Sequence, residues 1–329
     1  MTRQMQRESF RAMGTLVALA ASAALAERTP ARKALIAGRR EIEACERALS
    51  RFDPESDLCR LNSARGEWVI ADLRLIDALT AARWARTETG GLYDPTILPA
   101  LTAAGYDRSF ELLTEREGTQ LDDWRGGAGI EVDPDGARAR IDRGAAVDLG
   151  GIGKGFSATR ALHAMHAAWP EATGLLVDLG GDIALWGVPP EGGTWRIDIA
   201  DPRTPEGIAG TLELSGGGVA TSGRDTRRFG PAGRLHHLID PRTGVPAAGG
   251  PLAVTVVAPS TTEAEAHATA LAVADADEAG AYVARHPAIG ALLIPDTGEP
   301  IALGRLPLTR ERPTTRLVIS TQSGQHSWH

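Results

Sequence analysis

The segment of residues 147–162, VDLGGIGKGFSATRAL, constrains this chain most, because it places a cluster of glycines directly before a sequence of helical composition. Such glycines let the backbone come close to a ligand, and the first turn of the following helix offers unpaired N–H groups to a phosphate. Lys154 adds a positive charge within the cluster. The segment matches neither the G-x-G-x-x-G fingerprint nor the Walker pattern G-x-x-x-x-G-K-[ST]. On spacing alone, a nucleotide site and a plain tight turn are therefore equally good interpretations. The glycines are Gly150, Gly151, Gly153 and Gly155.

Strand-like and helical segments alternate along the chain without a regular parallel repeat. Residues 10–19 are strand-like, and Thr29 followed by Pro30 is a typical helix start, after which helical spacing continues to Ser50. Apolar strand segments follow the glycine-rich turn, and a strong helix is predicted over about residues 262–274. The sequence therefore predicts an α+β fold with mixed sheets and packed helices.

The composition indicates a globular protein and argues against a nucleic-acid partner. The chain of 329 residues is 43% apolar with a formal net charge of −7, and its Lys and Arg residues are spread out rather than clustered. Cys45 and Cys59 are too few for a disulfide framework. Because no linker divides the chain, we expect a single domain over residues 1–305, followed by a loosely ordered tail over residues 306–329. No oligomeric state is predicted.

The apolar run near the N-terminus, residues 16–26, has two interpretations. It follows an arginine-containing start and ends in a small-x-small pattern, as a cleaved secretory leader does. However, Glu8 and Ser9 interrupt the charged start, and the run is Ala-rich and short for a membrane span. We therefore expect a strand here and a cytoplasmic protein, with export as the alternative.

A series of spaced motifs resembles the ApbE family of FAD:protein FMN transferases in order and spacing. The motifs are FRAMGT, LSRFDPESDLCRLN, GLYDPTILPAL, VDLGGIGKGF, GLLVDLGGDI, WRIDIADPR, GGVATSG, HHLIDPRTG and VTVVAPSTTEAEAHATAL. The resemblance implies an α+β fold, related to the T-fold, around a cleft that holds FAD with Mg²⁺ at its pyrophosphate. It also implies transfer of FMN to a Thr or Ser hydroxyl of an acceptor flavoprotein subunit, with release of AMP. An FAD pyrophosphatase and a non-catalytic FAD carrier are the alternatives.

The resemblance also implies a set of contacts to FAD. The residues at matching positions are Met13, Phe52, Leu92, Tyr93, Asp94, Asp148, Lys154 and Ile239. Lys154 is the expected phosphate partner, because a cation inside a glycine-rich turn has little structural purpose. From residue type alone, Met13 and Phe52 are better explained as core residues, and Asp94 as a turn residue.

A magnesium site is implied for the helix that contains TTEAEAHATAL. Glu265 and Thr269 are four residues apart and share a helix face, and both offer the oxygen ligands that Mg²⁺ prefers. The resemblance adds the backbone carbonyl of Gly151, but its usual carboxylate is Asp, where this chain has Glu265. A structural alternative exists, because Thr262 and Glu265 have the spacing of a capping box.

Two residues near the HHLIDPRTG turn are the catalytic candidates. His237 matches the histidine of the family motif and would accept the proton of the attacking hydroxyl, because imidazole titrates near neutral pH. Asp240 is a turn residue by composition, but it follows Ile239, the expected nucleotide contact, so we include it as a secondary candidate. The neighbouring His236 has no assigned role.

Overall fold

The structure, a computed structural model, describes residues 2–108, 110–113, 118–121, 123–225, 228–230, 235–309 and 318–319. The α-helices of this part are α1 (Arg28–Leu49), α2 (Asp57–Ser63), α3 (Leu73–Glu88), α4 (Leu98–Ala103), α5 (Gly153–Ala168), α6 (Thr261–Val273) and α7 (Ala276–Arg285). Its strands are β1 (Arg3–Ala12), β2 (Thr15–Ala24), β3 (Val69–Ile70), β4 (Ile130–Asp133), β5 (Arg138–Ile141), β6 (Gly174–Leu179), β7 (Asp182–Gly187), β8 (Trp195–Ala200), β9 (Ile208–Leu214), β10 (Gly217–Gly223), β11 (Arg228–Phe229), β12 (Leu235–His236), β13 (Ile239–Asp240), β14 (Val245–Pro246), β15 (Ala253–Ala258), β16 (Gly290–Ile294), β17 (Ile301–Gly304), β18 (Leu308–Thr309) and β19 (Val318–Ile319). Short 3-10 turns cover Leu25–Glu27, Pro95–Ile97 and Phe110–Leu112.

An eight-stranded sheet occupies the centre of the fold, in the order β1-β2-β6-β7-β10-β15-β16-β17. Each neighbouring pair in this sheet is antiparallel. A four-stranded sheet has the order β18-β9-β8-β19, and a three-stranded sheet has the order β3-β5-β4. The central sheet is antiparallel, whereas the four-stranded sheet is mixed, because β19 pairs in parallel with β8. These sheets and the helices packed on them confirm the predicted α+β class.

Helices cover one face of the central sheet, and the four-stranded sheet covers the other. On the helical face, Leu19 and Leu175 share an apolar cluster with residues of α1 and α5. On the opposite face, Ala20 and Leu176 pack with Ile197 and other residues of the four-stranded sheet. Because successive side chains of a strand point to opposite faces, both faces of β2 and β6 are buried.

The apolar run over residues 16–26 therefore has a structural explanation. Most of it forms β2, which pairs with β1 on one side and β6 on the other, and Val17–Ala24 is buried throughout. A strand buried on both faces needs apolar residues at successive positions, so it lacks the polar alternation of a surface strand. The strand interpretation of this run is confirmed. Among the described residues, no helix is long and apolar enough to cross a membrane.

The first long helix, α1, begins slightly earlier than the sequence suggests. Its first residue is Arg28, and its N-cap is Glu27 rather than Thr29. The expectation that Thr29 caps this helix is therefore wrong, although the predicted end is confirmed, with Ser50 as the C-cap.

The boundary predicted at residue 305 also needs correction. Leu308–Thr309 pairs with β9, and Val318–Ile319 pairs with β8. Leu306 and Leu308 pack against the core between the two larger sheets. The folded part thus extends beyond residue 305, and the rest of the predicted tail lies outside the described residues.

Candidate functional site

A half-buried lysine between two buried carboxylates forms the centre of the site. Lys154 lies in the first turn of α5, Asp182 begins β7, and Glu265 lies within α6. The Lys154 ammonium forms an ion pair with Asp182 and another, at 2.8 Å, with Oε1 of Glu265. The backbone N–H of Gly155 donates to Oε2 of Glu265 at 2.7 Å. Three elements distant in sequence are thus joined at one charged cluster.

The electrostatics of this cluster keep the lysine charged. Burial disfavours the ammonium, but attraction to Asp182 and Glu265 outweighs burial and raises the pKa of Lys154. Burial raises the pKa of Glu265 to about 7; repulsion from Asp182 acts in the same direction, and Lys154 opposes both. With both carboxylates ionised, the cluster carries one net negative charge. An anionic ligand here therefore needs a compensating cation or proton.

Two glycines of the predicted turn allow α6 to approach it closely. A Cβ atom at Gly155 would lie 2.3 Å from the carbonyl oxygen of Thr261 and 3.0 Å from the Cβ of Glu265. A Cβ atom at Gly151 would lie 2.9 Å from Cγ2 of Thr269. Close packing against α6 therefore requires glycine at both positions, independently of any ligand. The sequence predicted that N–H groups at the start of this helix are available to a phosphate. In the structure, the N–H of Gly155 instead donates to Glu265.

The expectation that Lys154 has little structural purpose is also wrong, because its ammonium separates two buried carboxylates. Without Lys154, Asp182 and Glu265 would face each other as buried carboxylates, which is costly. Lys154 therefore stabilises the junction of α5, β7 and α6.

The predicted metal ligands converge, although Glu265 is already engaged. The Thr269 hydroxyl donates to the Gly151 carbonyl at 3.0 Å, so these two neutral oxygens are adjacent. Both oxygens of Glu265, one helical turn away, accept hydrogen bonds from Lys154 and Gly155. Hydroxyl, carbonyl and carboxylate oxygens are the ligand types that a hard cation such as Mg²⁺ prefers. Within the described ranges, no three His, Cys, Asp or Glu residues are grouped as a metal site.

The capping-box alternative for Glu265 is wrong. Helix α6 begins at Thr261, and its N-cap is Ser260, whose hydroxyl accepts from the N–H of Glu263. The Ser260 hydroxyl also donates to the Glu263 carboxylate at 2.9 Å. Glu263 is thus the acidic residue at the helix start, and Glu265 is free of that role.

The segment predicted to grip FAD lies against the glycine-rich turn. The N–H of Asp148 donates to the carbonyl of Pro95 at 2.8 Å, which ties the two segments together. Asp94 caps the following turn by accepting from the N–H of Thr96 at 2.8 Å and from its hydroxyl at 2.7 Å. Leu92 packs into the core beneath α6. The turn function inferred for Asp94 is therefore present in the structure.

Tyr93 adds a buried hydroxyl at this junction. A Cβ atom at Gly151 would lie only 3.2 Å from its ring. Burial raises the pKa of Tyr93 well above its ordinary value, and the charges of Asp148, Glu265 and Asp94 raise it further. Among the described residues, the Tyr93 hydroxyl has no hydrogen-bond partner. An unpaired buried donor beside carboxylates is a feature that a bound ligand would satisfy.

Met13 and Phe52 are less buried than core residues. Met13 occupies the β1–β2 turn with a φ of 51°, an uncommon conformation for a residue with a side chain. Its methyl group would lie 3.9 Å from a Cβ at Gly153, so it reaches the start of α5. Phe52 is 44% exposed. The core interpretation of Phe52 is therefore wrong, and Met13 is only partly buried against the helical cluster.

The residues of the HHLIDPRTG turn have different environments. His236 is buried, and its Nε2 pairs with the carbonyl of Ala247 at 3.0 Å; burial lowers its pKa. These contacts give His236 a structural role. His237 is half-buried between β12 and β13. Ile239 packs in the cluster that contains Tyr106 and Phe229.

Asp240 is held within its own turn. Its carboxylate accepts hydrogen bonds from the backbone and guanidinium of Arg242. Arg242 also bridges to Glu278 at 2.9 Å. These contacts supply the turn role suggested by composition, and the catalytic role of Asp240 stays a prediction.

Two site residues were missed from the sequence. Asp182 stands in the quoted motif GLLVDLGGDI, where a carboxylate at the start of an otherwise apolar strand was the available signal. Arg51 directly precedes Phe52 and contacts Asp148 at 2.7 Å. Both were hidden because their partners are distant in sequence.

The chain is similar to known proteins in both sequence and structure. The sequence model of the ApbE family matches residues 13–293. A Treponema pallidum protein named FAD:protein FMN transferase is 31% identical over 270 residues, which cover 76% of this chain and 73% of that protein. An Escherichia coli protein of the same name is 27% identical over 258 residues, covering 74% of this chain and 72% of that protein. The crystal structure of the ApbE protein from Thermotoga maritima has a TM-score of 0.78 at 27% identity, covering 91% of this chain and 97% of that one. The chain belongs to the ApbE family.

Proposed function

We propose that this protein transfers the FMN half of FAD to a Thr or Ser hydroxyl of an acceptor flavoprotein subunit, with Mg²⁺, releasing AMP. The observation that carries the proposal is the Lys154 cluster. It places the Lys154 ammonium in a glycine-rich turn, near the Thr269 hydroxyl and the Gly151 carbonyl. Curated relatives that align with about three quarters of this chain bear the name FAD:protein FMN transferase. These two observations support the proposed activity and its location at the Lys154 cluster.

The substrate is held by residues from several segments. Lys154 shares the negative charge of the FAD pyrophosphate, for which it must loosen one of its two carboxylate contacts. Tyr93 offers a hydroxyl that has no hydrogen-bond partner within the described part of the chain, and Met13 and Phe52 contribute apolar surface to the flavin. Asp94, Asp148, Leu92 and Ile239 support these contacts from the adjoining loops and core.

Thr269, the Gly151 carbonyl and Glu265 would hold the metal ion. When bound, Mg²⁺ neutralises charge on the pyrophosphate oxygens. When both carboxylates are ionised, the Lys154 cluster has a net negative charge and would repel an anionic pyrophosphate, which supports the need for a cation. Glu265 becomes available as a ligand when Lys154 turns toward the phosphate.

The transfer exchanges one phosphorus–oxygen bond for another. The acceptor hydroxyl oxygen forms a bond to the phosphorus of the FMN half, and the bond from that phosphorus to the bridging oxygen breaks. The bridging oxygen leaves with AMP. His237 accepts the proton of the attacking hydroxyl, because a neutral imidazole is a suitable base near pH 7. Lys154 stabilises the charge that develops on the phosphoryl oxygens.

The test combines mass spectrometry with AMP detection. Purified protein is incubated with FAD, MgCl₂ and a library of peptides that each contain one Thr or Ser, and the same library with Ala at that position serves as control. We expect a peptide mass increase of one FMN, equimolar AMP, and loss of both products in His237→Asn. AMP without peptide modification would replace the proposal with FAD hydrolysis. FAD binding without AMP at any magnesium concentration would indicate a carrier.

A further inference from the structure

Arg51 lies behind the proposed flavin surface and is almost wholly buried. It follows the C-cap of α1, and its Nε lies 2.7 Å from Oδ2 of Asp148. Both side chains are 9% exposed. A terminal nitrogen of Arg51 donates to the carbonyl of Tyr106 at 3.2 Å. A buried guanidinium with a carboxylate and a carbonyl as partners has a fixed orientation.

The same guanidinium packs against two aromatic rings. Its central carbon lies 4.1 Å from the ring centroid of Phe52 and 4.6 Å from that of Tyr106. The two ring centroids are 6.3 Å apart, and Tyr106 lies 5.6 Å from Phe229. Such cation–π contacts depend on a planar, weakly hydrated cation, which Arg supplies and Lys does not. Phe52 nevertheless keeps 44% of its surface exposed.

Asp148 connects this stack to the glycine-rich turn. Its Oδ1 accepts the N–H of Gly150 at 2.8 Å, while its Oδ2 faces Arg51. Its own N–H donates to the carbonyl of Pro95 at 2.8 Å. Arg51 therefore links the Phe52 loop, the glycine-rich turn and the segment that contains Tyr93.

We propose that Arg51 is a positioning residue for FAD, which fixes the Asp148 carboxylate and presents the exposed face of Phe52 to a planar ring of the ligand. The inference rests on the proposed function, because it assumes that FAD is the ligand. Arg51 acts through Asp148 and Phe52, since its own charged group is covered by them and by Tyr106. Its loss should weaken FAD binding more than it slows the chemical step.

A surface arginine provides a matched control. Arg39 pairs with Glu43 at 2.8 Å and Glu8 at 3.0 Å, and its guanidinium carbon lies 4.8 Å from the Phe10 ring centroid. It thus combines the same kinds of contact, but it is exposed and lies on α1 away from the site. Substitution of Arg39 reports the general cost of losing an arginine–aromatic–carboxylate cluster.

The experiment measures FAD affinity by quenching of flavin fluorescence, together with KM for FAD, kcat and urea unfolding. The variants are Arg51→Lys, Arg51→Gln, Asp148→Asn, the double variant Arg51→Gln/Asp148→Asn, and Arg39→Gln. We expect Arg51→Gln to raise the Kd and KM for FAD about tenfold with kcat within about twofold, because a charge-assisted contact is lost. Arg51→Lys should recover part of the affinity, since charge is kept and stacking is lost. Arg39→Gln should leave the Kd within about twofold.

The double variant separates positioning from mere stabilisation. If Arg51 acts through Asp148, the double variant should bind FAD about as weakly as the weaker single variant, rather than with multiplied losses of about a hundredfold. Multiplied losses would overturn the coupling, and an unchanged Kd in folded Arg51→Gln would overturn the positioning role. If the unmodified protein binds no FAD, the proposed function fails as well. If it binds FAD and only Arg51→Gln is normal, the inference alone fails.

Discussion

Glu265 differs from the aspartate that its family resemblance implies, and the structure shows what the longer side chain reaches. One carboxylate oxygen pairs with Lys154 and the other accepts the N–H of Gly155. These contacts join α5 to α6 at the site. Glu265 therefore combines a structural role with its proposed role as a metal ligand, and substitutions can separate the two.

The first prediction concerns the magnesium dependence of Glu265 and Thr269 variants. Glu265→Gln keeps an oxygen for the Gly155 N–H but removes the charge that a cation needs, and Thr269→Val keeps the shape without the hydroxyl. Each substitution should raise the magnesium concentration for half-maximal AMP release about tenfold, because each removes one oxygen ligand of the cation: a carboxylate at Glu265 and a hydroxyl at Thr269. The measurement is a magnesium titration of AMP release.

Glu263→Gln is the control for this titration. Glu263 lies on the same helix but belongs to the cap formed with Ser260. It should retain the magnesium dependence of the unmodified protein. A normal titration for Glu265→Gln would remove Glu265 from the metal site and leave it as the partner of Lys154 alone.

At the scale of elements, helix α6 packs a buried histidine against α3 and α7. His267 lies on this helix and is buried; its Nδ1 pairs with the Tyr282 hydroxyl at 2.5 Å. Trp84 of α3 contacts the His267 ring edge-on, and His286 stacks on Tyr282. Burial, with a smaller contribution from the neighbouring His286, lowers the pKa of His267 to about 4.

The second prediction follows from this lowered pKa. The unfolded chain binds a proton at His267 near pH 6.5, whereas the folded protein binds it only near pH 4. Stability contributed by neutral His267 is therefore present above pH 6.5 and lost as the pH falls toward 4, by up to about 3 kcal/mol. His267→Gln should flatten this part of the pH dependence, as measured by urea unfolding from pH 7.5 to 4.5.

The environment of His267 and a matched variant define the test. The titratable groups around it are Tyr282, His286 and Glu88, which lies beside His286. His163→Gln, at an exposed position of α5, should keep the slope of the unmodified protein. Equal slopes in His267→Gln and the unmodified protein would show that another group governs the acid sensitivity.

The β1–β2 hairpin contains strain at a proposed ligand contact. Its two-residue turn consists of Met13 and Gly14, with φ values of 51° and 69°. Turns of this kind favour Asn-Gly, because Asn accepts positive φ more readily than Met. The Met13 N–H donates to Glu46 at 2.5 Å, which helps to hold the conformation.

The third prediction is that Met13→Asn separates stability from ligand binding. Unfolding free energy should stay within about 1 kcal/mol, because relief of strain offsets lost packing. FAD affinity should fall several-fold if the Met13 side chain lines the flavin. Arg65→Asn, at an exposed position with φ of 52°, is the control and should not change FAD affinity. Unchanged affinity in Met13→Asn would leave the strain without a binding role.

Sequence reasoning reached the elements more easily than their contacts. Local spacing predicted both ends of α6 and the C-terminal end of α1 to within about one residue, because helices depend on residues near in sequence. It placed the N-cap of α1 at Thr29 rather than at Glu27. The pairing of Lys154 with Asp182 was not predicted, because it depends on how α5 meets β7. Arg51 was overlooked because its partner Asp148 lies far along the chain.

The whole molecule is layered, and β1 and β2 form one end of its central sheet. The quoted motifs include all three segments that meet at the Lys154 cluster, although these segments are far apart in sequence. The sequence alone did not show that β8 and β9 cover the sheet opposite the helices, since this layer depends on long-range packing. It also left residues 16–26 open to a leader interpretation, because a strand buried on both faces resembles an apolar signal segment.

The fourth prediction is that a chain beginning at Glu27 does not fold. Such a chain lacks β1 and β2, and β2 lies between β1 and β6 inside the central sheet. Leu175, Leu176 and Val177 of β6 would then lose packing partners from β2 and lie on an unpaired edge strand, which promotes aggregation. We expect an insoluble product, or one without cooperative urea unfolding. A chain beginning at Met5 is the control, because it loses only the start of an edge strand and should fold.

If the chain beginning at Glu27 instead unfolds cooperatively and binds FAD with unchanged affinity, β2 is dispensable and cleavage after Ala26 becomes compatible with activity. Because Met13 would be removed as well, that outcome would also contradict its role in flavin binding.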